Sequence, residues 1–189
     1  MVRSFLAINL SPEANRVIRD SLTGFRFLGK SVRWVRPENI HLTVKFLGDQ
    51  TPSAIRDISA AVQEVASGLQ PFEIKIGPTG IFPSLKRPRV LWIGTKGNNE
   101  AIRRMHGLVE EALAHLGIEK DDRPFSPHIT IGRIKGRPPS QDSIIRLLKS
   151  DLPPAVTLVD RLCLYQSRLT PAGPIYKLLS NHPFGKGSS

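Results

Sequence analysis

Two short phrases of one pattern, His41-Leu42-Thr43 within IHLTVKFLG and His128-Ile129-Thr130 within PHITIGR, stand close to half the chain apart. Each alternates a polar with an apolar residue, so an extended strand sets His and Thr on one face and the apolar residues on the other. A single His-x-Thr is the ordinary pattern of a half-buried strand. Its recurrence in a chain of five histidines points to two equivalent strands that bring their histidines to a shared cleft.

The order of elements around the phrases repeats in the same sense. RSFLAINL reads as a strand stopped by Ser11-Pro12, which fit the N-cap and first turn of a helix carrying Val17, Ile18 and Leu22. A short strand around Arg33 to Val35, a turn at Pro37-Glu38-Asn39 and the first motif strand follow. Thr51-Pro52 then open a helix with the apolar stripe Ile55, Ile58, Val62, Val65, Leu69, ending near Gly68. FEIKIGPTGIFPS and RVLWIGTK read as strands joined by the basic loop Lys86-Arg87-Pro88-Arg89. A helix from about Asn99 to Leu116 turns Ile102, Met105, Val109, Ala112 and Leu116 inward and stops at Gly117. After the second motif, Ser140 opens a short helix with Ile144, Ile145 and Leu148, and two last strands, AVTLVDRLCLYQS and PIYKLLSN, close the chain. The spacing predicts an α+β fold of two pseudo-symmetric lobes, each an antiparallel sheet covered by helices, with the site in the cleft between them. Residues 1–183 read as one bilobal domain, and 184–189 as a disordered tail without pattern.

At 189 residues the chain is long enough to bury a real core. It has no run of eighteen apolar residues and its start is too quickly interrupted for a signal peptide, so it reads as cytoplasmic with no membrane partner. Cys163 allows no intrachain disulfide and fits a buried strand position. A formal net charge of +11 asks for an anionic partner, with nucleic acid the first candidate. There is no H-E-x-x-H, no Cys pair and no carboxylate cluster, and no Walker or dinucleotide glycine pattern, so the expectation is chemistry without metal or cofactor.

Phosphodiester cleavage needs a base to activate the attacking oxygen and an acid to protonate the leaving one, and histidine serves either role near neutral pH. Thr43 and Thr130, on the same strand faces as His41 and His128, are placed to hydrogen-bond phosphate oxygens. Lys45 shares that face by the same count and could add charge; its bland reading is a solvated edge lysine. Arg133 falls on the opposite face of an ideal strand, but Gly132 permits a bulge that would return it to the cleft. Phe5, Trp34, Phe46 and Trp92 read mostly as core, with Phe5 or Trp34 the aromatics for the cleft rim, where a base could stack. His106, His115 and His182 sit in no metal spacing.

HLTVKFLG, SPHITIGR, the opening RSFLAINL and the closing LYQSRLTPAGPIYKLL together resemble the two-histidine (2H) phosphoesterase superfamily, specifically the RNA 2',3'-cyclic phosphodiesterases also called 2'-5' RNA ligases (LigT/ThpR type), over roughly Val2 to Leu179. The resemblance implies metal-independent hydrolysis of an RNA terminal 2',3'-cyclic phosphate to a 2'-phosphate. In that scheme His128 is the general base, His41 the general acid, and Thr43, Thr130 and Arg133 hold the phosphate. It also implies a reverse reaction forming 2'-5' linkages. The partner is then RNA with cyclic phosphate ends, tRNA fragments among the candidates, and a monomer suffices for a cleft complete in one chain. Two alternatives stay open: a non-catalytic RNA-binding module of the same fold, and a 2H phosphodiesterase acting on small cyclic nucleotides or 2'-5' oligonucleotides.

Overall fold

The computed structural model describes residues 1–171 and 173–185. Among them nine strands form one antiparallel sheet: β1 (Val2–Ile8), β2 (Val32–Trp34), β3 (Leu42–Gln50), β4 (Phe72–Phe82), β5 (Val90–Gly97), β6 (His128–Ile134), β7 (Val156–Val159), β8 (Arg161–Thr170) and β9 (Gly173–Pro183). Four helices accompany it: α1 (Pro12–Gly24), α2 (Pro52–Ser67), α3 (Asn99–Ala114) and α4 (Gln141–Leu148). Ser11, Thr51 and Ser140 cap α1, α2 and α4, each side-chain oxygen accepting a backbone N–H three residues on.

The strand order is β7-β4-β5-β6-β3-β1-β8-β9, with β2 added on β6. The two lobes are therefore the two ends of one sheet, joined where β3 meets β6. That joint is narrow: Leu42 opposite Ile129 is its single register pair. Further along β6 the partner is β2, through Val32 opposite Ile134, Arg33 opposite Arg133 and Trp34 opposite Gly132. With β2 occupying that side of β6, β3 diverges after one pair, and the gap between the motif strands opens as a wedge.

The last segment departs from the sequence expectation. AVTLVDRLCLYQS is two strands that part at Asp160: β7 pairs with β4 at one end of the sheet, and β8 pairs with β1 and β9 at the other. A one-residue link between near-opposite ends requires the sheet to curl until they approach each other, and the Phe184 N–H seals the junction by donating to the Asp160 carbonyl. Phe184 is buried and stacks on Phe72, and the Gly185 N–H donates to the Ala66 carbonyl, so both are docked where the sequence suggested a patternless tail. Residues 186–189 lie outside the described residues.

Leu42, Val44, Ile129 and Ile131 join the buried residues of all four helices in one apolar cluster. The helices thus lie on the sheet face opposite the His-Thr face. In α3 the core stripe is Ile102, Met105, Val109 and Leu113 rather than Ala112 and Leu116, because the helix ends at Ala114 and leaves Leu116 exposed. In α4 it is Ile144 and Leu147, with Leu148 outside.

Candidate active site

From the Leu42–Ile129 pair, antiparallel counting sets His41 across from Thr130 and Thr43 across from His128. Residues opposite one another share a face, so the four polar side chains form a two-by-two array with the histidines on a diagonal. On a regular ladder that diagonal spans roughly 7–8 Å between Cα atoms, room for a phosphate between the rings.

Both rings are held in the same way. His41 Nδ1 lies 2.8 Å from the carbonyl of Asn39, and His128 Nδ1 lies 2.8 Å from the carbonyl of Ser126, each two residues upstream. A carbonyl only accepts, so Nδ1 of each ring donates and Nε2 is the nitrogen left for a proton transfer. The Thr43 hydroxyl is 3.0 Å from His41 Nε2 and donates to it in that tautomer. Asn39, itself buried, is fixed by donating from Nδ2 to the Pro174 carbonyl at 2.9 Å, tying the His41 support to β9. His41 stacks on Phe5 at 4.9 Å and meets Tyr176 edge-on at 5.3 Å, and this burial lowers its pKa from 6.5 to about 4. His128 meets Phe82 edge-on at 4.9 Å.

Both motif strands break the alternation at the same place. Against β1, Ala7 faces Thr43 and Leu6 faces Lys45, leaving Val44 extra; against β5, Trp92 faces Thr130 and Leu91 faces Gly132, leaving Ile131 extra. These are β-bulges, and each reverses the faces beyond it. In each strand two consecutive buried residues follow the threonine, and the fifth position after the histidine returns to the cleft: Phe46 in one strand, Arg133 in the other. The bulge inferred from Gly132 is present, and Arg133 lines the cleft. Its twin moves Lys45 away from it. Lys45, expected beside His41 and Thr43, is 2 % exposed and ion-paired with Glu110 and Asp121 behind the sheet. The position matching Lys45 is Gly132 because β2 covers it: a Cβ there would come within 2.9 Å of Val32 Cγ1.

The cleft has a volume of about 330 Å³ and takes in His41, Thr43, Thr130 and Arg133, while His128, edge-on to Phe82, is not among its lining residues. Arg3, Arg33, Arg36 and Lys135 also line it, and none of the described lining residues bears a carboxylate. Arg33 and Arg133 are direct cross-strand partners, an arrangement that like charges disfavour unless an anion joins them. Gly173, at φ 124, makes room for this: a Cβ there would come within 3.1 Å of the Arg33 guanidinium. Trp34 lines the cleft, half-buried, as expected of a rim aromatic. Phe5 does not suit a base-stacking role, being 2 % exposed and stacked against both His41 and Tyr165. Phe46, expected in the core, is 66 % exposed at the cleft. Sequence reasoning also passed over Arg3, Arg33, Arg36, Asn39 and Tyr176, which only the tertiary fold gathers. The loop from Lys86 to Arg89 is largely exposed, and Cys163 is buried as expected.

Two other histidines are buried by packing. His106 lies flat on Phe125 at 4.0 Å, and His182 sits between Ser180 and Gln63; burial lowers both pKa values. No described helix is long and apolar enough to cross a membrane.

The 2'-5' RNA ligase superfamily model matches residues 17–170. The RNA 2',3'-cyclic phosphodiesterase of Thermotoga maritima is 33% identical over 186 residues, 98% of this chain and 97% of that protein. The protein of the same name from Archaeoglobus fulgidus is 35% identical over 176 residues, 93% of this chain and 97% of its own length. A crystal structure of a protein from Thermus thermophilus superposes with a TM-score of 0.85 at 26% identity, covering 98% of this chain and 99% of that one. Apo E. coli LigT shares the fold, with a TM-score of 0.76 at 22% identity over 97% of this chain and 98% of its own. Paired His-x-Thr strands, a cationic cleft between them and full-length similarity converge: the chain belongs to the 2'-5' RNA ligase superfamily.

Proposed function

We propose that this protein is an RNA 2',3'-cyclic phosphodiesterase that opens the terminal cyclic phosphate to a 2'-phosphate with two histidines. The observation that carries the reading is the pairing of the two His-x-Thr strands at Leu42 and Ile129, which sets the imidazoles on a diagonal, each with Nδ1 held by a backbone carbonyl. The names of the relatives supply the substrate class.

The cyclic phosphate sits between the rings, its non-bridging oxygens accepting from the hydroxyls of Thr43 and Thr130 and from the Arg133 guanidinium, with Arg33 opposite. His128 Nε2 takes a proton from water as its oxygen bonds to phosphorus. The P–O3' bond breaks, and His41 Nε2 gives its proton to the departing O3'. His128 ends protonated and His41 neutral, and exchange with solvent resets the pair. His41 is neutral in the free protein at neutral pH, and the bound phosphate anion beside Nε2 raises its pKa so that it carries the proton to be donated. With a 5'-hydroxyl in place of water, His128 takes its proton as its oxygen bonds to phosphorus, P–O3' breaks with His41 protonating O3', and the product is a 2'-5' linkage. Phe46 and Trp34 offer rings to the terminal base, and the basic rim accepts the phosphates that follow it. The cleft is complete in one chain, consistent with a cytoplasmic monomer acting on RNA ends such as those of tRNA fragments.

The test is turnover of a short RNA ending in a 2',3'-cyclic phosphate by the wild type, His41→Ala and His128→Ala. Each substitution is expected to lower kcat by about 10²-fold or more, the usual size of a proton-transfer contribution, with RNA binding retained. A folded variant with near wild-type kcat removes that histidine from the chemistry. RNA binding without turnover by the wild type supports a binding module instead.

A further inference from the structure

Behind the cleft, on the reverse face of β3, Lys45 Nζ lies 2.7 Å from Glu110 Oε1 and 3.2 Å from Asp121 Oδ1, and donates to the Glu119 carbonyl at 2.7 Å. The other Glu110 oxygen accepts the Asp121 N–H at 2.9 Å. His106, one turn before Glu110 on α3, has Nε2 3.6 Å from that carboxylate and lies parallel to Phe125, ring centroids 4.0 Å apart. Phe125 precedes Ser126, whose carbonyl accepts from His128 Nδ1. A continuous series of contacts therefore runs from the bulge of the first motif strand to the carbonyl that aims the second histidine.

The donor atoms of His106, Glu110 and Asp121 lie within 4.8 Å of one another, a spacing a metal ion would accept, but the positive charge between the carboxylates is the Lys45 ammonium. The cluster also ties down the connection before β6, beside the packing of Ile118 and Phe125 against the core. Residues 115–127, between α3 and β6, contain no helix or strand, and β3 and β6 share one register pair. The ladder sets the backbones of the two motif strands, and the orientation of the His128 ring depends on the Ser126 carbonyl in the connection before β6.

We infer that Lys45 is a positioning residue for His128: its ammonium pins the α3–β6 connection to the back of β3, and the connection holds the ring of His128 through Phe125 and Ser126. The first motif strand then carries one histidine on its cleft face and, on its reverse face, the clamp that aims the other. The role of the clamp in turnover rests on the reading of His128 proposed above.

Lys45→Met alone leaves two carboxylates without their partner, one of them buried, and risks misfolding, so it is paired with Lys45→Met/Glu110→Gln. Two quantities are measured: the tautomer of each active-site imidazole by side-chain ¹⁵N NMR, and kcat and KM on RNA with a 2',3'-cyclic phosphate end. In a folded variant His128 is expected to lose its single Nδ1–H tautomer while His41 keeps its own. The kcat falls about 10-fold or more, with KM within about twofold of wild type, since misaligned proton transfer acts on the chemical step. A folded variant with an unchanged His128 tautomer overturns the inference, even if its unfolding midpoint falls, because lost stability alone does not move a tautomer. If neither Lys45 variant folds, Asp121→Asn, at a side chain 53 % exposed, decides instead: mixed His128 tautomers and a smaller kcat loss are expected, and no change in either overturns the inference. If the wild type itself does not turn over the RNA, the proposed function fails, and the tautomers still decide whether the clamp exists.

Discussion

The His41 imidazole is stacked on Phe5, edged by Tyr176 and bonded to the Asn39 carbonyl, so both its tautomer and its low pKa follow from the walls around it. The His41 ring of the free protein takes up a second proton only as pH falls to about 4. The acid limb of kcat/KM, which reports the free protein, is therefore expected near pH 4. In kcat it shifts upward, because the bound phosphate favours the charged ring. An acid limb of kcat/KM near 6.5 would mean that His41 is less buried than its contacts require. Phe46, whose ring stands open at the cleft, makes a second prediction: Phe46→Ala raises KM about 10-fold for RNA ending in any of the four bases, the size of one base-aromatic stack, and leaves the unfolding midpoint in place. Steady-state kinetics on four cyclic-phosphate substrates test it. The repeated His-x-Thr made both histidines and both threonines legible in the sequence, because alternation over three residues survives any bulge that follows. Phe46 was not legible, since an aromatic inside an apolar run reads as core until the bulge at Val44 is known.

At the scale of elements, the paired bulges aim the residues beyond each threonine. One of them was readable, because Gly132 marks a backbone under close approach; Val44-Lys45 carries no such mark, and Lys45 was assigned to the wrong face. What buries Lys45 is α3 and the segment after it, and their meeting with β3 is a tertiary event that no local spacing announces. The break at Asp160 escaped for a related reason. Both of its strands are apolar and β-prone, and only sheet topology separates them. Gly132→Ala tests the second bulge: the new methyl meets Val32 at 2.9 Å and Trp34 at 3.1 Å, pressing β2 away from β6. The substitution is expected to cost about 1–3 kcal/mol in denaturant unfolding and to lower phosphate affinity, because Arg33 on β2 moves with the strand.

For the whole molecule, the wedge between β3 and β6 gathers arginine and lysine side chains on and beside β1, β2 and β6 around one phosphate-sized space. A net charge of +11 announced an anionic partner, but the sequence could not say where the charge collects, because Arg3, Arg33, Arg133 and Lys135 meet only through strand pairing. RNA affinity is expected to fall steeply with salt, with a logarithmic slope of about −0.7 for each phosphate contacted, whereas a cyclic mononucleotide loses much less. Titrations at several salt concentrations separate the two. Stability has its own pH dependence. His41, His106 and His182 all have pKa values below their ordinary 6.5, so the unfolded chain binds more protons than the native one as pH falls through that value. Their stabilising contribution is complete above about pH 6.5 and is lost progressively toward pH 4, and denaturant midpoints across that range are expected to fall with pH. Whether two histidines act on one phosphate from opposite sides is read from ³¹P NMR of the product formed from RNA with a 2',3'-cyclic phosphate end. A single 2'-phosphate resonance, absent with His41→Ala, is the expected result. A 3'-phosphate, or an equal mixture of the two, would contradict it, because O3' would then not be the oxygen that His41 protonates.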